Sequence, residues 1–155
     1  MYDRILIPTD GSDVVEGAVD HALHLAELHD AELHALYVVD TDAIDLSLGT
    51  EQVERLRAGK FGEMDELKAR ADRATGYIAD RARERGIDVE EHVAAGRPHA
   101  AIADYADDHD VDLIVMGSHG RAGVKRALLG SVTERVLRSS SRPVMVVDVQ
   151  SEADE

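Results

Sequence analysis

The sequence predicts an open α/β domain, a parallel sheet of five strands with helices on both faces. Two observations carry this prediction. Short apolar runs alternate along the 155 residues with longer segments in which apolar residues recur every three or four positions. The apolar runs are continuous rather than alternating, as in strands buried on both faces, and parallel strands need crossovers that helices supply. A third observation sets the domain count: no repeat and no second composition regime interrupts the chain, so residues 1–148 form one domain and 149–155 an acidic flexible tail.

The first strand is expected at residues 4–8, Arg-Ile-Leu-Ile-Pro, closed by Thr9, Asp10 and Gly11. Ser12 can cap the helix that follows, with Asp13 and Glu16 favouring its positive end, and Val15, Ala18, Val19, Ala22, Leu23 and Ala26 form its buried stripe to an end near His29-Asp30. Residues 33–39 make the second strand. Residues 40–60 are irregular apart from a short helical piece at 51–58, and a connection of that length is usually functional or mobile. A helix follows from Phe61 to about Arg85, with Met64, Leu67, Ala71, Ala74, Ile78 and Ala82 facing inward and Gly86 as its stop. Val89–Ala94 is a strand polar enough for a sheet edge. Pro98 opens another helix whose inward residues are Ala101, Ile102, Tyr105 and Ala106. Asp112–Met116 is the most apolar strand, a helix spans about Ser131–Ser139, and Pro143–Val147 is the last strand.

Between the fourth strand and the last helix lies the stretch with most chemistry: Gly117, Ser118, His119, Gly120, Arg121, Gly123, Lys125, Arg126, Gly130 and Ser131. Glycines allow close approach of backbone to ligand, Gly130-Ser131 opens a helix whose first amides and dipole attract an anion, and three cations lie between. It reads as a phosphate cradle. Neither the Walker spacing nor Gly-x-Gly-x-x-Gly is present. Ligands of open α/β sheets bind beyond the carboxyl ends of the strands, where strand order reverses. If the first and fourth strands are neighbours, Pro8-Thr9-Asp10 and Gly117–Gly120 frame one crevice.

Composition narrows the partners. The net charge of −15, from 32 acidic against 17 basic residues, repels nucleic acid and anionic lipid, and one Phe, four Tyr and no Trp leave little for base stacking. Asp outnumbers Glu, and Lys occurs only at 60, 68 and 125, the pattern of a salt-adapted, halophilic surface. The absence of Cys excludes thiolate zinc sites and thiol catalysis and fits a reducing compartment. With no basic leader and no apolar stretch of about 18 residues, a cytoplasmic location is expected. His21 and His24 lie three apart on the first helix, but Cys is absent and no Glu-x-x-His or His-Glu-x-x-His arrangement completes a ligand set, so no metal site of protein side chains is expected. Asp107-Asp108 and Asp40-Thr41-Asp42 are read as solvated acidic surface, and no spacing argues for a catalytic triad.

Gly117-x2-Gly120-x9-Gly130-Ser131 resembles the signature of nucleotide-binding universal stress proteins. The likeness extends to Tyr2–Ser12, Tyr37–Asp40, Gly96-x-Pro98, Asp112–Gly120 and Arg142–Val147. It implies a Rossmann-like sheet of strand order 3-2-1-4-5 and ATP as ligand, with Mg or Mn bridging the phosphates. Carried over by position, Pro8, Thr9 and Asp10 would lie beside adenosine, Val38 would meet adenine through its backbone, and Met116 and Gly117 would border the ribose. Gly120, Gly130, Ser131, Val132 and Thr133 would hold phosphates, with His119 and Arg121 as further candidate contacts. A carboxylate repels phosphate, which assigns Asp10 to adenine or ribose. The resemblance also implies a homodimer through the last strand, Val144 to Val149, an apolar edge that otherwise invites aggregation.

The expected role is a nucleotide-dependent regulatory or stress-response module acting on a protein partner, with at most slow or partner-stimulated ATP hydrolysis, since no base is placed to activate water. The alternative is an ATP-hydrolysing enzyme, an ATPase or AMP-forming pyrophosphatase. The latter wants a Ser-Gly-Gly-x-Asp-Ser-like loop after the first strand, which Asp10-Gly11-Ser12-Asp13 does not supply. A receiver domain would want a Lys after the last strand, and none follows Val147.

Overall fold

The structure is a computed structural model that describes residues 2–11, 15–40, 65–118 and 130–148. The expected Ser12 cap, the irregular connection of residues 41–60 and the loop residues 119–129 lie outside the described residues. Five strands, β1 (Arg4–Thr9), β2 (Glu32–Asp40), β3 (Val89–Gly96), β4 (Leu113–Gly117) and β5 (Val144–Val147), form one parallel sheet of order β3-β2-β1-β4-β5. The described helices are α1 (Val15–His29), α2 (Asp65–Glu84), α3 (Pro98–Asp108) and α4 (Ser131–Ser139). The strand order is the expected one, and β3 is an edge.

Alternation along each strand sends side chains to two separate cores. Ile5 and Ile7, Leu33 and Ala35, and Leu113 and Val115 face α1 and α2, meeting Val19, Leu23, Ile78 and Ala82. Leu6, Leu36, Ile114 and Met116 face α3 and α4, meeting Ile102, Tyr105, Ala106 and Val136. Tyr37 and Val39 pack with Ala71 and Ala74 of α2. The described residues of the helix stripes read from the sequence are buried as expected, except that Leu67 and Ala101 are only half-buried; Met64 and the side chain of Val15 lie outside the described residues.

Three helices stop in the same way. Asp30 (φ 53°), Gly86 (φ 72°) and Asp110 (φ 51°) enter the left-handed region, and the next residue's N–H reaches back five positions: Ala31 to Ala26, Ile87 to Ala82, Val111 to Ala106, at 2.9–3.0 Å. This is the six-to-one bond of a Schellman ending, which occupies an orphan carbonyl. Glycine makes that conformation cheap at 86, whereas at 30 and 110 aspartate adopts it, which its short polar side chain tolerates. The chain is thereby turned directly into β2, β3 and β4.

Candidate functional site

The order of strands places β1 between β2 and β4, so successive crossovers leave β1 in opposite directions and a crevice opens at its carboxyl end. Local geometry widens it. Pairing of β1 with β4 covers only Ile5↔Leu113 and Leu6↔Ile114, although β1 runs on to Thr9 and β4 to Gly117. Pro8, with no N–H to donate, lies where that ladder has ended, while pairing with β2 continues to Thr9↔Tyr37.

At the tip of β1 the Gly11 N–H donates to Thr9 Oγ1 at 3.0 Å, and Gly11 has φ 82°, a conformation that suits glycine. The Thr9 side chain is buried and Asp10 half-buried at the rim. Across the crevice, Gly117 ends β4 and Ser118 donates its N–H to the Val147 carbonyl at 2.8 Å. The Gly130 N–H donates to the Ser118 carbonyl at 2.8 Å, which seats the start of α4 against the end of β4. Thr133 donates its hydroxyl to the Gly117 carbonyl at 2.9 Å and is 4% exposed. Its side chain therefore braces the seat, leaving its backbone amide at the helix end.

Gly130 is the N-cap of α4, with φ −65° and ψ 151°, and no side chain among the described residues caps the helix. Those angles are open to any residue, so backbone freedom is not what selects glycine here. The amides of Ser131, Val132 and Thr133 belong to the first turn, where no intrahelical carbonyl faces them, and the helix dipole adds partial positive charge. Ser131 is exposed and Val132 half-buried. A second helix start, Pro98 of α3, follows Gly96 (φ 144°) at the end of β3, again with no side-chain cap.

Of the residues singled out by sequence, Pro8, Thr9, Asp10, Gly117, Gly130, Ser131, Val132 and Thr133 come together at this end of the sheet. Met116 is 6% exposed within the α3–α4 core, so its side chain serves packing and only its backbone remains for a ligand. Val38 is half-buried against the same core, two residues before the end of β2. His119, Gly120 and Arg121, with Lys125 and Arg126, lie outside the described residues. Sequence reading missed Ser118, whose backbone joins β4, β5 and α4. Its position between two glycines gave no sign of this. Asp107, read as solvated surface, is exposed and there also receives the Arg142 guanidinium at 3.1 Å.

Fold and crevice define an open parallel α/β protein with a crevice at the topological switch point. The chain belongs to the universal stress protein family, whose description matches residues 1–148. It is 38% identical over 148 residues to universal stress protein MJ0531 of Methanocaldococcus jannaschii, covering 95% of this chain and 82% of that one. It is 35% identical over 154 residues to universal stress protein MJ0577 of the same organism, covering 95% of each. Among solved structures, that of MJ0577 superposes with a TM-score of 0.78 at 32% identity, covering 98% of this chain and 99% of that chain. A universal stress protein in complex with cAMP superposes with a TM-score of 0.67 at 27% identity, covering 96% and 98%. No helix among the described residues is long and apolar enough to cross a membrane.

Proposed function

We propose that this protein is an ATP-binding universal stress protein, a regulatory module whose nucleotide state alters its association with a protein partner. One observation carries the reading most directly: an α-helix start that no side chain among the described residues caps, with glycine at its N-cap, is bonded to the end of β4 beside the splayed end of β1. The amides of Ser131, Val132 and Thr133 would receive phosphate oxygens, and Gly130 would leave them room. Gly120, with His119 and Arg121, would add further contacts to the same phosphates. Pro8, Thr9, Asp10 and the Val38 backbone would form the adenosine half, with Met116 and Gly117 along the ribose. The cAMP complex of a relative supports an adenine nucleotide as the ligand class.

A divalent Mg or Mn ion fits this arrangement as a passenger of the nucleotide. Among the described residues no trio of acidic or histidine side chains gathers at this end of the sheet. Phosphate and water would thus provide most of its oxygens, as a hard ion that dehydrates reluctantly prefers. The ion would neutralise phosphate charge within a protein of net charge −15. With no base among the described residues arranged to activate water, the reading takes turnover to be slow at most.

The wider reading keeps residues 1–148 as the binding module and 149–155 as an acidic tail, in the cytoplasm, on a surface adapted to high salt. A homodimer through β5 is part of it: Val144–Val147 pairs with β4 on one side only and is half-buried throughout, an edge that a second copy would cover.

The test is nucleotide extraction from the purified protein, followed by calorimetry with ATP and Mg. The reading expects nucleotide in the extract, ATP bound intact over hours, and at least a 100-fold loss of affinity in Gly130→Leu, roughly 2.8 kcal/mol. Repeated preparations without nucleotide and without calorimetric binding overturn it. Rapid conversion to ADP or AMP would make the protein an enzyme instead.

A further inference from the structure

The amino end of the β2–β3 edge holds a second cluster, on the α3 face and away from the crevice. Register places His34 opposite Glu90 and Leu36 opposite His92, so His34 and His92 are diagonal neighbours on one face. Their rings are nearly parallel, 8° apart, with centroids 5.8 Å apart. His34 Nε2 lies 3.3 Å from Glu90 Oε2, and His92 Nε2 lies 4.0 Å from Glu90 Oε1. One ligand atom from each of His34, Glu90 and His92 can be chosen so that all three fall within 4.8 Å of one another.

Two features distinguish this trio from an ordinary surface cluster. His34 is 2% exposed, and its Nδ1 meets the Tyr105 hydroxyl at 2.6 Å, a contact that can fix the ring with Nε2 toward Glu90. The His92 ring is one-third exposed, yet its Nε2 is turned inward, buried, and has no hydrogen-bond partner among the described residues. A polar atom withdrawn from water and left unpaired costs about 1–3 kcal/mol, which a ligand at this point would remove.

We propose that His34, Glu90 and His92 bind one divalent cation of the zinc class. Two imidazoles and a carboxylate suit Zn²⁺ and its neighbours, whereas Mg²⁺ and Ca²⁺ prefer all-oxygen sets. Bonds of about 2.0–2.1 Å to a tetrahedral ion put ligand atoms about 3.3 Å apart, which His34 Nε2 and Glu90 Oε2 already match, while the trio as a whole, within 4.8 Å, would draw in on binding. In the ion-free protein Glu32 Oε1 bonds both His34 Nε2 at 2.9 Å and Arg4 Nε at 3.0 Å; on binding, Nε2 would exchange that bond for the ion while Arg4 keeps the Glu32 carboxylate, leaving Glu90 for the ion. Glu90 is 56% exposed, so the ion has a path from solvent. Bound there, it would clamp edge strand β3 to β2.

Sequence spacing does not reveal this trio, because 34 and 90 meet only through strand register. The cluster lies at the opposite end of the sheet from the crevice, so its fate and that of the nucleotide reading are separable. The experiment titrates the chelator-treated, nucleotide-free full chain with Co²⁺, followed by its visible d–d bands, then displaces it with Zn²⁺. The proposal expects one ion per chain, tetrahedral bands and a rise in Tm, with binding at least tenfold weaker in both Glu90→Gln and His92→Gln and unchanged when His21 and His24 are replaced together. Absence of tetrahedral bands in the wild type, or a loss of less than tenfold in either variant, overturns it. NMR of the unsubstituted protein decides the matter without relying on a variant's folding: Zn²⁺ must shift the ring resonances of His34 and His92, and a shift confined to other histidines overturns the site.

Discussion

The two ends of this sheet are built on opposite terms. At the amino end, side chains tie the strands together: Asp112 accepts the N–H groups of Asp3 and Arg4 at 2.8 and 3.0 Å, Arg4 reaches Glu32 at 3.0 Å and the His109 carbonyl at 2.9 Å, and His34 bonds both Tyr105 and Glu32. The hydrogen bond from His34 holds the Glu32 carboxyl below its usual pKa, and burial together with Glu90 and Glu32 pushes the Tyr105 hydroxyl up. At the carboxyl end, β1 and β4 part early, and α4 presents backbone amides that no side chain caps. Order at one end stabilises the frame on which the other can leave polar groups to a ligand, so substitutions at the two ends should act on different quantities.

The largest effect belongs between them. Leu36, fully buried at the middle of the α3 face, underlies both ends, and Leu36→Ala should cost about 2–5 kcal/mol by urea unfolding and weaken ATP binding as well. Asp112→Ala removes a charged acceptor from two backbone donors and should cost about 1.5–3 kcal/mol, with calorimetric ATP affinity unchanged. An equal loss of affinity there would break the separation. Thr133→Val keeps the shape but strands the Gly117 carbonyl, at about 1 kcal/mol in stability. Because it loosens the seat of α4, it should also lower ATP affinity several-fold. Smallest is Ser131→Ala: at an exposed position its stability change should stay within about 0.5 kcal/mol, and any larger effect should appear only in the ATP titration.

The sheet was legible because its signals are local. Continuous apolar runs marked β1, β2 and β4, and helical periodicity found the inward residues of α1 and α2. Strand ends were less so: β3 runs to Gly96 and β1 to Thr9, one or two residues beyond the apolar run, because pairing with a neighbour rather than hydrophobicity sets where a strand stops. Gly86 announced a helix stop, whereas Asp30 and Asp110 perform the same turn without the residue that would signal it. Of the crevice, Gly130 and Ser131 were visible through their spacing from Gly117. The bracing hydroxyl of Thr133 was not, since its partner is a carbonyl sixteen residues away. The His34–Glu90–His92 cluster was least visible of all, depending on the β2–β3 register and on Tyr105 from α3.

The separation of the two ends can be read directly by following backbone amide NMR shifts as ATP and Mg are added to the full chain. The account predicts that the largest shifts fall at Thr9–Gly11, Gly117–Ser118 and Gly130–Thr133, with Asp3, Arg4, His34, Glu90 and Asp112 nearly unmoved. Shifts concentrated at the amino end, with the start of α4 silent, would contradict it.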